Sequence, residues 1–252
     1  MNGLRWAALL LASLVFGGAR PALSGGGGDL YLSWDDCRVG NAGGSDLESV
    51  CLSNEGESRL FCAFTLDSPI DEVIGIEIVV DLQHSEGELP DWWHLQGKGE
   101  CRDGVLSVSG DFTLFGVCSD PWQDLGGGVA QYQRGLPGGL PGQARIFGTY
   151  AVPSPSARTL DAGVMYYGLQ VVIRNDRSVF PSECAGCSQP ACLVLNQVTL
   201  LRTPASTPPE IAIIRPGPEA ANRVTWKGGG QADCTAVPVR RTTWGQIRSL
   251  YR

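Results

Sequence analysis

Histidine and lysine are scarce in this chain, two of each in 252 residues. A hydrolytic triad needs a histidine held by a carboxylate and facing a nucleophile, so only His84 and His94 can fill that role. Also missing are a Gly-x-Ser-x-Gly elbow, a His-Glu-x-x-His helix, a phosphate loop and an Asp-x-Asp-x-Asp-Gly calcium loop. No catalytic residue can be assigned, and neither metal nor cofactor is expected. The formal net charge of −7 disfavours nucleic acid and anionic membrane surfaces as partners.

Long apolar runs are missing too. The run Trp6 to Phe16 is 11 residues long, against the roughly 20 that span a bilayer. It follows Arg5 and precedes small residues that offer cleavage after Ala19 or Ser24, so it reads as a signal peptide over 1–24. Removing it takes two arginines and leaves 17 basic against 26 acidic residues, a charge of −9. The mature chain then has no membrane helix, and its expected location is outside the cell or in the envelope.

What is abundant is glycine and proline, 34 and 16 residues. They predict short strands joined by tight turns. Strands are expected at 29–34, 59–66, 71–83 and 144–150, with short apolar pieces at 105–108 and 112–117. In 71–83 the residues Ile74, Ile76, Ile78, Val80 and Leu82 alternate with outward Glu77, Asp81 and Gln83. The central feature is 164–201, where two strands flank a loop holding Cys184, Cys187 and, at its end, Cys192. Met165, Tyr167, Leu169, Val171 and Ile173 share one face of the first of these strands. Leu125 to Gly142, dense in glycine and proline, reads as loop. No long helix emerges, so the fold class is all-β: an antiparallel sandwich of seven to nine strands with disulfide-stapled loops.

The domain plan is a signal peptide at 1–24, a sandwich at 29–202, and a linker and tail at 203–252. Within the last part, 211–214 and 223–227 can add edge strands. The closing stretch, capped by Thr242 or Thr243, puts Trp244, Ile247, Leu250 and Tyr251 on one helical stripe. Three turns are marginal alone in water, so this short C-terminal helix must dock, or serve as a sorting signal.

Nine cysteines in an exported chain read as a disulfide framework with one thiol left over. Cys37, Cys51, Cys101, Cys118, Cys184, Cys187, Cys192 and Cys234 are the bridging set. Cys37 with Cys51 and Cys101 with Cys118 would close loops of hairpin size. A loop of about 15 residues is worth on the order of 3 kcal/mol. Cys62 sits on the inward register of its strand and is the candidate free thiol. Cys184, Cys187 and Cys192 with Cys234 could instead hold zinc, or Cys184/Cys187 act as a redox pair; export favours bridges.

The candidate binding residues are Trp92 and Trp93, with Asp91, His94 and Trp122. Exposed indoles stack on sugar rings, while Asp91 or His94 would bond hydroxyls. Alternatively the indoles fill the sandwich edge. Asp35, Asp36 and Asp81 could ligate calcium or do paired-carboxylate chemistry, though loop carboxylates are mostly solvated.

Leu-Ser-Trp-Asp-Asp-Cys, Val-Asp-Leu-Gln with Leu-Pro-Asp-Trp-Trp, Cys-Ala-Gly-Cys with Pro-Ala-Cys-Leu-Val-Leu-Asn, and the closing Trp-Gly-Gln-Ile-Arg-Ser-Leu-Tyr-Arg together resemble a family of uncharacterised secreted bacterial proteins. The resemblance spans nearly all of the mature chain and implies no activity or active site. It implies that Cys62 is extra, since the family's pattern has a small residue there. A more distant likeness, of architecture only, is to cohesin-like and carbohydrate-binding sandwiches. The expected function is a secreted, non-enzymatic interaction module binding carbohydrate or a surface protein. An extracellular polymer hydrolase and a purely structural envelope component are the alternatives. If the cysteines brace the fold, the oxidised, denatured protein should yield at most one alkylatable thiol. Three or more, with stoichiometric zinc, would mean a metal centre.

Overall fold

The computed structural model describes residues 24–25, 27–37, 44–48, 50–84, 87–123, 125–135, 141–228 and 234. The expected signal peptide, except its last residue, and the expected C-terminal helix lie outside these. In chain order the strands are β1 (Ser24–Gly25), β2 (Asp29–Trp34), β3 (Asp46–Leu47), β4 (Glu57–Phe64), β5 (Ile70–His84), β6 (Leu106–Ser109), β7 (Gly127–Arg134), β8 (Gln143–Ala151), β9 (Arg158–Leu160), β10 (Tyr166–Arg174), β11 (Ala191–Arg202), β12 (Glu210–Ile213), β13 (Arg215–Pro216) and β14 (Arg223–Trp226).

They form two sheets. One runs β1-β12-β11-β5-β8-β7, with β14 also on β11, β3 on β14 and β9 on β5. The other runs β13-β2-β4-β10-β6. The long strands pair antiparallel, and the parallel pairings are two-residue contacts of β1, β13 and β3. Alternation explains the packing: Ile76, Ile78, Val80 and Leu82 of β5 meet Leu60, Cys62 and Phe64 of β4 and Leu169, Val171 and Ile173 of β10 in one apolar core. Fully burying each such side chain contributes roughly 1.5–3 kcal/mol before chain entropy is set against it.

The strands that flank the cysteine loop, β10 and β11, lie in different sheets, so the loop is a crossover between layers. The apolar face of β10 is not continuous either. A register shift between Tyr167 and Leu169 sends Tyr167 outward, into a second cluster with Phe61, Ala63 and Phe112. Gly168 sits at that irregularity because a Cβ there would stand 2.4 Å from Ile76 Cδ1. The stretch 125–142 carries β7, whose Gly-Gly-Val-Ala-Gln-Tyr-Gln-Arg sequence has little apolar alternation because it pairs only with β8. The sandwich continues past 202, since β12 and β14 both pair with β11.

The four bridges are Cys37–Cys118, Cys51–Cys187, Cys101–Cys184 and Cys192–Cys234, with sequence separations of 81, 136, 83 and 42. The expected Cys37/Cys51 and Cys101/Cys118 hairpin staples are therefore wrong. Each cysteine is claimed by a partner that folding brings near, not by its neighbour in sequence. Cys37–Cys118 holds the loop carrying Phe112 and Phe115 over the outward face of the smaller sheet. Cys62 is free and buried, and burial pushes its thiol pKa up.

On the outward face of the larger sheet, Arg145 meets Asp81 through two bonds of 2.6 and 2.7 Å, and Asn196 donates to the same carboxylate at 2.7 Å. Asp81 is fully buried, so it is a structural charge with its oxygens taken, and not the calcium ligand considered above. Replacing Arg145 by Ala leaves this carboxylate uncompensated and should cost about 3–5 kcal/mol, read by urea denaturation of the oxidised protein.

Candidate functional site

Four of the five residues expected to bind ligand fall on one short 3-10 turn, Asp91–Trp93, and on His94 that follows it. The turn follows Pro90, whose extended backbone leads into it. It does not present its indoles. Trp92, Trp93 and Trp122 are all fully buried, which removes the expected stacking platform. Four indoles assemble instead at one end of the core. Trp92 lies 4.7 Å from Trp93 and 4.5 Å from Trp226, Trp93 lies 5.1 Å from Trp226, and Trp34 lies 5.9 Å from Trp226. Large apolar rings gain more from one another and from the core than from water. Trp122 stands apart, donating to the Gly168 carbonyl at 2.6 Å and lying beside Tyr150.

His94 is held by its neighbours. Its Nδ1 lies 3.0 Å from Glu100 and 3.6 Å from Asp91. Its Nε2 faces the Leu89 carbonyl at 3.1 Å and the Arg134 guanidinium at 3.0 Å. Arg134 also pairs with Glu100. A triad histidine must turn one nitrogen toward a hydroxyl or thiol, whereas both nitrogens here are occupied by other groups. The arrangement ties β7 to the 89–100 segment.

The residue that sequence reasoning missed is Arg102. Its side chain is 1% exposed, and its guanidinium carbon lies 3.7 Å from the Trp92 ring centroid. Nε donates to the Asp176 carbonyl at 2.9 Å, Nη1 to the Trp92 carbonyl at 3.1 Å, and Nη2 to the Arg174 carbonyl. Burial pulls its pKa down, to about 9, chiefly by desolvation, with Asp176 opposing. It remains a cation at pH 7. No carboxylate among the described residues forms an ion pair with it, so carbonyl dipoles and an aromatic face compensate the charge.

Arg102 lies at a cleft of about 380 Å³ lined also by Asn54, Asp103, Val105, Arg174, Asp176, Arg177 and Ser182. Arg174 Nε pairs with Asp176 at 2.9 Å and its Nη2 donates to the Gly104 carbonyl at 3.1 Å. Arg177 donates to the Cys101 carbonyl at 2.7 Å. Asn54 binds the facing loop three times: its Oδ1 accepts from the Ser178 and Val179 amides at 2.8 and 3.0 Å, and its Nδ2 donates to the Val179 carbonyl at 3.2 Å. The loops that shape the cleft are therefore fixed by hydrogen bonds and by Cys51–Cys187 and Cys101–Cys184. Phe180 and Leu52, on the two loops Asn54 joins, are 82% and 80% exposed.

Three guanidinium groups against two carboxylates give the cleft a positive balance in an acidic protein, and every lining side chain except Val105 is polar. Nothing in composition marked these residues out; the only clue was the Cys184/Cys187 loop itself. No protein-family model and no curated protein matches the chain, so what the cleft does must be argued from its chemistry. Replacing Trp92 by Ala removes both the centre of the indole cluster and the face under Arg102, and should cost about 3–5 kcal/mol, read from chemical denaturation.

Proposed function

We propose that this protein is an extracellular or envelope-associated interaction module, non-enzymatic, that binds an acidic saccharide in the Arg102 cleft. The carboxylate of a sugar acid would meet Arg174 and Arg177, the groups whose planar fork suits it. Hydroxyls would find Asn54, Asp103 and Ser182, and an apolar sugar face would rest on Phe180. The observation that carries the reading is the cleft lined by Arg102, Arg174 and Arg177, with the exposed Phe180 on the stretch of chain between its lining residues Arg177 and Ser182. Four disulfides support an oxidising compartment, and no helix among the described residues is long and apolar enough to cross a membrane.

Calorimetry with uronate oligosaccharides and their neutral, carboxyl-reduced counterparts tests this. The acidic ligands should bind and the neutral ones bind much more weakly. Arg177→Ala and Phe180→Ala should each weaken binding by roughly 10-fold, or ~1.4 kcal/mol, without lowering the melting temperature. Equal binding of charged and neutral ligands, or no binding of either, would overturn the reading.

A further inference from the structure

The two outward faces of the sandwich are not equivalent. On the smaller sheet, the loop with Phe112 and Phe115 supplies a described apolar cover. On the larger sheet, aligned rows cross β11, β5 and β8: Cys192, Gln83 and Gln143; Val194, Asp81 and Arg145; Gln197, Val79 and Phe147. Cys192, Asp81, Gln83, Val194, Arg145 and Val79 are 0, 0, 1, 2, 6 and 8% exposed. Yet Val79, Cys192 and Val194 belong to neither apolar cluster. The core between the sheets does not account for their burial.

We propose that the chain's own C-terminal segment, 235–252, is the cover of this face. Three observations select that occupant. Cys192 points outward from β11, opposite to Leu193 in the core, and is bonded to Cys234; the segment therefore begins on this face. Its length fits. The helix expected over 242–252 would be about 16 Å long, while seven residues of β5, from 77 to 83, run about 20–24 Å. A helix about 10 Å across covers some three strands spaced ~4.8 Å apart. Charge complements as well. The segment holds four arginines and no acidic residue, so of the chain's 19 basic and 26 acidic residues the remainder holds 15 and 26. Its stripe of Trp244, Ile247, Leu250 and Tyr251 would pack on Val79, Phe147 and Val194, with its arginines toward Glu77 and the rest of the acidic body. Glu77, Gln83 and Gln143 on the same face are all engaged.

Hydroxyl-radical footprinting of the oxidised protein tests this through side-chain access. Ending the chain after Cys234 keeps the Cys192–Cys234 bridge. It should raise labelling of Val79, Phe147 and Val194 several-fold while Phe61, Phe112 and Tyr167 on the opposite face stay protected. Synthetic peptide 235–252 added in trans should restore protection. In the full chain Trp244→Glu should reproduce the pattern, which guards against a truncated form that does not fold. The proposal is overturned if Trp244→Glu labels like the unaltered chain, or if truncation leaves Val79, Phe147 and Val194 protected. A segment that changes only where the protein is retained on the cell, with this face protected in its absence, is a sorting signal and not a cover.

Discussion

Burial of four indoles at one end of the inter-sheet core is the constraint on which the neighbouring structure depends. Trp34 comes from β2, Trp226 from β14, and Trp92 and Trp93 from the turn between β5 and β6. Bringing them together fixes three segments distant in sequence. Their polar atoms set further conditions: Trp92 Nε1 donates to Ser178 Oγ at 3.1 Å, Trp226 Nε1 to the Cys187 carbonyl at 2.7 Å, and Trp34 Nε1 to the Thr225 carbonyl at 2.8 Å. The cysteine loop is thereby hydrogen-bonded to the cluster before its bridges are considered. Cys51–Cys187 and Cys101–Cys184 then remove chain entropy from the unfolded state across separations of 136 and 83 residues.

Arg102 connects this cluster to the surface. One face of its guanidinium lies against Trp92, and its N–H groups reach carbonyls of Trp92, Arg174 and Asp176. A lysine would satisfy fewer of these, because its donors radiate from a point where the guanidinium presents a plane. The same residue that completes the core also sets a fixed positive charge at the cleft. Loops held in this way lose little freedom on binding, which is how a small polar cleft can retain affinity.

Strand positions were legible where apolar side chains recur at every second residue. In β5 the alternation from Ile74 to Leu82 could not be misread, and Cys62 on the inward register of β4 is free and buried. Legibility failed where covering changed the rule. Asp81 and Gln83 read as solvent-facing because their register is outward, yet both are buried on a covered sheet. The glycines opening β7 suggested a loop, but an edge strand needs only backbone pairing with β8. The adjacent tryptophans invited a binding platform; the 3-10 turn of Asp91–Trp93 lets both enter the core, where a strand would have sent them to opposite faces.

Amino-acid order by itself determined the fold class, the inward registers of the long strands and the odd thiol, because these follow from local periodicity and from counting. Only the tertiary structure decided which cysteines meet, which sheet each strand joins, and that Arg102 lies beside Arg174 and Arg177. Those outcomes depend on contacts between distant residues, 42 to 136 positions apart for the bridges and 72 and 74 for two of the Arg102 bonds, and no local pattern in a chain encodes which distant partners its own folding will bring within a bond's length.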